Sequence, residues 1–194
     1  MIHRISVMCA ERIIALGNLQ ETDESVLQYG CELIITSVFG LLLLMGMSLL
    51  ISYPMAWLFF VLGFAVHRTY AGGYHANTHI GCYIVTSIMF LVGTITATAI
   101  EWHHFTYLVI AVLSAMLVVS MAPLAASNKP LSKNRFRRNR KRILIIVCIN
   151  LIISIFFAAM KLVSKEGNIY FAGIFFASLS LIMGKIKNKL KGGS

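Results

Sequence analysis

Three observations predict an all-α polytopic membrane protein with about six transmembrane helices. Of the 194 residues, 58% are hydrophobic and only 12% are charged, and the mean hydropathy is +0.81. Soluble domains carry about twice that share of charge, so lipid is the solvent this composition requires. The apolar residues gather into six runs, and the basic residues gather between alternate runs.

The N-terminal stretch MIHRISVMCAERIIALGNL places Ile2, Ile5, Cys9, Ile13 and Leu16 at helical spacing, with Arg4, Glu11 and Arg12 elsewhere. That pattern predicts a helix lying in the membrane interface. NLQETDES is a polar break at which Thr22 or Asp23 can cap a second short helix. No short cationic segment followed by an apolar core and a small-residue cleavage site opens the chain, so no removable signal peptide is expected. The apolar runs are 33–53, 54–66, 80–100, 105–126, 143–163 and 169–184. Four reach the roughly 20 residues a span needs. The second and sixth are shorter, and the second, extended by interfacial Arg68 and Tyr70, can be re-entrant. Tyr53-Pro54 leaves almost no loop between the first two runs. The chain reads as one integral-membrane domain, 1–194, with an interfacial region 1–32, a transmembrane bundle 33–184 and a basic tail 185–194.

Six spans put the N-terminus, the 67–79 loop, the 127–142 loop and the C-terminal tail on one side. These hold 15 of the 17 Lys and Arg residues, leaving only Lys161 and Lys165 opposite. Positive residues mark the cytoplasmic side, which predicts N-in/C-in. The net charge of +10 is therefore a topology signal and a contact for lipid headgroups. Nucleic acid is not an expected partner, because the run KNRFRRNRKR lacks a recognition fold. Cys9, Cys31 and Cys82 fall on the reducing side and are expected as free thiols, and Cys148 as a small apolar filler inside the fifth span.

The 16 residues from His67 to Cys82, HRTYAGGYHANTHIGC, concentrate three histidines and a cysteine in a chain of oil. A thiol needs help to ionise before it can act as a nucleophile. Asn77 or Thr78 is a good N-cap, which would set Cys82 near the positive end of a helix. His75 is available as a general base, and Arg68 adds positive charge. A straight helix over 75–82 would hold the two side chains about 10.5 Å apart, too far for proton transfer. A dyad therefore requires a bend, which Gly72-Gly73 and the cap permit. The plainer reading makes Cys82 a small helix-start residue and His75 a solvated loop histidine. His67 and His79 read as interfacial or structural, and His103 and His104 as part of an outer aromatic belt with Trp102. His75, His79 and Cys82 also have spacings plausible for zinc. Yet Asp23 is the sole Asp, and no Glu lies between Glu32 and Glu101. A hydrolytic zinc site usually keeps a carboxylate nearby. The metal reading ranks below the thiol, and neither metal nor cofactor is expected.

The pattern R-x-x-A-G-G-x-H-A-x5-C (Arg68, Ala71, Gly72, Gly73, His75, Ala76, Cys82) resembles the signature of the accessory gene regulator B (AgrB) family, membrane cysteine endopeptidases of Gram-positive quorum sensing. APLAASNKPL, with Ala122, Pro123, Asn128, Lys129, Pro130 and Leu131, is similar to the family's second segment. The resemblance implies that an AgrD-type precursor peptide is cut on its C-terminal side. Cys82 would be the nucleophile and His75 its base, with Arg68, Gly72, Gly73 and Asn77 binding substrate or supporting the site. The acyl-thioester on Cys82 would be attacked by a Cys or Ser of the bound peptide, closing a cyclic thiolactone or lactone. It further implies a homodimer in the plasma membrane of a Gram-positive bacterium, with the site at the cytoplasmic face. Backbone N–H groups at the start of the third span are the first candidates for the oxyanion stabiliser, and Asn77 the alternative. No Asp is placed to orient His75, so a dyad is expected. The rival reading is a small-solute transporter or channel gated by the 67–82 loop, against which stands the near absence of intramembrane charge.

Overall fold

The computed structural model describes residues 2–17, 24–74, 76, 78–125 and 132–191. Among the described residues seven helices follow in order: α1 Ile2–Gly17, α2 Glu24–Leu50, α3 Ala56–Ala71, α4 His79–Ala99, α5 His104–Met121, α6 Lys133–Ala159 and α7 Lys165–Lys191. The expected all-α fold is what forms. Among the described residues five helices, α2 and α4 to α7, are long and apolar enough to cross a membrane. The remaining long apolar run, α3, has 16 residues, which rise about 24 Å against a hydrocarbon core of about 30 Å.

Three boundaries differ from the sequence reading. The short helix expected before the first span is fused with it, since α2 runs unbroken from Glu24. No proline interrupts that stretch, and a Cβ on Gly30 would meet nothing. The capping positions 22 and 23 lie outside the described residues. The basic run is helix and not loop: Ser132 caps α6 by accepting a hydrogen bond from the Arg135 N–H at 3.4 Å. Arg and Lys then carry the helix onward, being good helix formers. The C-terminal tail likewise continues α7 to Lys191.

Contacts divide the chain into two compact units, Met1–Gly46 and Met47–Ser194. In the first, α1 buries Ser6 and Ala10. In the second, α7 is the central helix, packed by α3, α4 and α5, with α6 against α5 and α3. Of its most apolar window 56% is buried, against 33% or less for the other long helices. The α3–α7 crossing is close because both sides are glycine. A Cβ on Gly63 would strike the Tyr170 carbonyl, and one on Gly173 the Phe60 carbonyl. Small residues let helix backbones approach in lipid, where apolar burial alone does not drive helices together. Around the crossing, Phe60 stacks on Phe64 at 5.4 Å and meets Phe90 edge-on at 5.3 Å.

Buried polar groups join the helices. His67, predicted as interfacial or structural, is structural and buried. Its Nδ1 lies 3.0 Å from the Gly63 carbonyl, and its Nε2 lies 3.3 Å from Asn150 Nδ2. Asn150 Oδ1 accepts from the Tyr170 hydroxyl at 2.6 Å. With the imidazole proton on Nδ1, His67 donates to Gly63, Asn150 to His67 and Tyr170 to Asn150, linking α3, α6 and α7. At the other end of the unit, Tyr107 donates to Asn168 Oδ1 at 2.7 Å, and Asn168 Nδ2 donates to the Ala97 carbonyl at 2.9 Å. Tyr53, in the turn before α3, donates to Glu166. Burial, then that bond and the Glu166 charge, push the Tyr53 phenol up to about 12, so it remains a donor. His103 caps α5, its ring accepting from the Phe105 N–H. Cys148 is exposed on α6 and not a buried filler, because the six-run pattern marks which residues enter a span but not which face they take.

Candidate active site

The site forms where α3 ends, and the first constraint is backbone. Gly72 and Gly73 have φ of 79° and 138°, the left-handed region that L side chains disfavour. Read from sequence as a source of flexibility, the pair is instead packed hard. A Cβ on Gly72 would strike the Leu124 carbonyl, and one on Gly73 the Ser180 hydroxyl. Leu124 N–H donates to the Ala71 carbonyl at 2.8 Å, and Gly72 and Leu124 form an isolated parallel bridge. Tyr74 N–H donates to the Ser180 carbonyl at 2.9 Å. A Cβ on Gly184 would come within 2.8 Å of the Gly73 carbonyl carbon and 2.9 Å of the Tyr74 nitrogen. The glycines serve close approach and turn direction, and α7 is the wall behind them.

This arrangement brings the two sequence motifs together. The 122–125 segment lies beside Gly72 and is tied to α7 by Asn188, whose Nδ2 donates to the Ala125 carbonyl at 2.8 Å. The end of α5 is closed by Arg140 of α6, whose guanidinium donates to the carbonyls of Val118 at 3.1 Å, Val119 at 2.7 Å and Ala122. Arg140 thus satisfies orphan carbonyls at a helix C-terminus. It is not a free member of the basic field. Asn128, Lys129, Pro130 and Leu131 lie outside the described residues.

Thr78 is the N-cap of α4: its Oγ1 accepts from the Gly81 N–H at 3.1 Å, and its carbonyl accepts from the Cys82 N–H at 3.1 Å. Cys82 therefore sits one turn into the helix, partly buried. Arg68, in the last turn of α3, is the side chain that reaches it. The guanidinium is within hydrogen-bonding range of the Cys82 sulfur, donates through Nη2 to the Tyr74 carbonyl, and covers the Phe64 ring at 5.5 Å. The loop also turns back on itself, since a Cβ on Gly81 would lie 3.0 Å from that of Ala76. Residues 76 and 81 are thus neighbours, and a straight helix over this stretch is excluded.

His75 and Asn77 lie outside the described residues, so the structure brings Arg68 to Cys82 and sets Gly72 and Gly73 directly after the helix that carries Arg68, and leaves those two calls where the sequence put them. Among the described residues no group of three His, Cys, Asp or Glu gathers to hold a metal, and the zinc reading turns on His75. Sequence reasoning missed Tyr74, Leu124, Ser180, Gly184 and Asn188. The only trace of the α7 members is the small residues Ser180 and Gly184 on one face, four apart, which any lipid-buried helix can show.

Residues 6–183 match the family model described as Accessory gene regulator B. The chain is 27% identical to a protein of Halalkalibacterium halodurans named AgrB-like, over 100% of this chain and 96% of that one. It is 21% identical to accessory gene regulator protein B of Staphylococcus epidermidis, over 86% of this chain and 83% of the relative. With the protein of that name from Staphylococcus intermedius it shares 23%, over 62% and 64%. No solved structure matches it. Fold and matched span together define a polytopic membrane protein of a quorum-sensing system. The chain belongs to the Accessory gene regulator B family.

Proposed function

We propose that the protein is an integral-membrane cysteine endopeptidase that cuts an AgrD-type precursor peptide on its C-terminal side and yields a cyclic thiolactone or lactone signal. The observation that carries this is the Arg68 guanidinium at the sulfur of Cys82, one turn into a capped helix. A fixed cation and a helix start are the surroundings that favour a thiolate. His75 acts as the base, and the approach of Gly81 to Ala76 supplies the turn that a straight helix would deny.

Attack by the Cys82 sulfur on the scissile carbonyl releases the C-terminal segment and leaves an acyl-thioester. A Cys or Ser of the bound peptide then displaces Cys82 and closes the ring. A thioester keeps its acyl-transfer potential, so thiolactone formation is a near-balanced exchange, provided water is held off. The clamped 72–74 segment faces the cytoplasm, where the basic end of the unit meets the peptide. Cleavage is tested by mixing the reconstituted protein with a synthetic precursor and following peptide mass. Loss of a C-terminal fragment that requires Cys82 supports the reading. Flux of a small solute without any cleavage would favour the transporter.

A further inference from the structure

Acyl transfer needs a donor for the negative charge that develops on the carbonyl oxygen, and the amides of Cys82 and of Gly81 before it are already engaged. The Cys82 N–H is bonded to the Thr78 carbonyl and the Gly81 N–H to the Thr78 hydroxyl. The amide of the nucleophile itself, the usual donor in such sites, is thus committed to the helix. Arg68 is not so limited. A guanidinium carries five N–H groups in one plane. One is held by the Tyr74 carbonyl, and the guanidinium also interacts with the Cys82 sulfur.

The group is also held in place before any substrate arrives. Its plane lies over Phe64. The carbonyl it holds belongs to a residue whose own N–H is bonded to Ser180 of α7. Donors fixed in advance cost no reorganisation during reaction, which is what makes this kind of stabilisation effective.

Resting on the thiol reading above, we propose that Arg68 is a catalytic residue in its own right, whose guanidinium stabilises the oxyanion formed when the Cys82 sulfur adds to the scissile carbonyl. Addition forms the S–C bond and moves the carbonyl π pair onto oxygen. Collapse returns that pair and breaks the C–N bond, and the leaving amine takes the proton that His75 removed from the thiol. In the second half the peptide's own thiol or hydroxyl adds to the thioester carbonyl and gives its proton to His75. A second oxyanion forms, and its collapse expels the Cys82 thiolate. In both halves negative charge passes between sulfur and an oxygen two bonds away, so one planar cation can follow it without moving.

The test compares two reactions of the same sulfur. The full chain, with Cys9, Cys31 and Cys148 replaced by Ser, is reconstituted in vesicles as parent, Arg68→Gln and Arg68→Lys. Each is assayed for cleavage of a synthetic precursor and for alkylation of Cys82 by iodoacetamide, a displacement that builds no oxyanion. Arg68→Gln is expected to lower kcat by about 10²- to 10³-fold, the usual cost of one oxyanion donor, with KM within about fivefold of the parent, while alkylation, which loses only the cation that favours the thiolate, slows at least about tenfold less than cleavage. Arg68→Lys, which keeps charge but loses the fork, is expected to fall about 10- to 100-fold, and is read alone if the Gln variant does not insert. Equal losses of cleavage and alkylation would overturn the proposal and assign Arg68 to the thiol only, as would a kcat within about tenfold of the parent. Cleavage that survives Cys82→Ala would instead remove the thiol reading itself.

Discussion

At Cys82 the decisive question is whether one sulfur carries the chemistry. The other three thiols have no comparable setting: Cys148 is exposed on α6, and Cys9 and Cys31 lie within α1 and α2. Cys82→Ala and Cys82→Ser are each expected to abolish precursor cleavage while membrane insertion is unchanged, checked by mass spectrometry of the peptide and protease accessibility of the chain. His75→Ala should be nearly as damaging and His79→Ala should retain substantial activity, which separates the dyad from a zinc site needing both. Activity lost to a chelator and restored by zinc would reverse that ranking. Stability has its own residue-scale test in Asn150. Asn150→Leu leaves the His67 Nε2 and the Tyr170 hydroxyl without their present partner. Polar links of this kind in lipid contribute about 1–2 kcal/mol. Thermal unfolding in detergent should therefore begin several degrees lower, and an unchanged profile would deny the link a stabilising role.

Among the elements, α7 has the largest unrecognised part. Its Gly184 lies against the backbone of Gly73 and Tyr74, so Gly184→Ala must move the clamped segment or the helix. Cleavage is expected to fall more than about tenfold, since small misplacements of reacting groups cost about 10²-fold. Gly93→Ala is the matched control. The nearest atoms its Cβ would meet are ring carbons of Phe176 and Phe60, from 3.1 Å, eleven residues along α4 from Cys82, about 16 Å. Equal losses in the two variants would mean that α7 does not position the site. Arg140 makes the same point for α6, because a residue taken for surface charge in fact closes the end of α5.

For the whole molecule the arrangement of charge matters most. Arg68, the start of α6 and the end of α7 share one end of the second unit, as the bonds of Ala122, Ala125 and Tyr74 require. An acidic precursor tail would meet this field, which acts over about 10 Å at 0.1 M salt. Neutralising Arg137 and Arg138 together is expected to raise KM and flatten its salt dependence without changing kcat. Vesicles of zwitterionic lipid keep headgroup binding from imitating peptide binding. Unchanged KM and salt response, with insertion verified, would assign these residues to topology alone.

What the sequence by itself determined is what depends on composition and spacing. Runs of apolar residues dictate helices in lipid, Asn77 or Thr78 stands where a cap must, and the pattern of Arg68, Gly72, Gly73, His75 and Cys82 carries the resemblance to the family. Helix ends were less legible, because Lys and Arg extend α6 and α7 as readily as they begin a loop. Tertiary structure alone decided the rest. That Gly72 and Gly73 are packed tight, and not merely pliant, depends on Leu124, Ser180 and Gly184, residues 50 or more positions away. That the buried His67 finds a partner depends on Asn150, and that Arg68 reaches the sulfur depends on α3 packing beside α4. Local patterns record what each residue prefers, but which two residues meet is set by backbone approach between helices, and glycines permit that approach without specifying its partner.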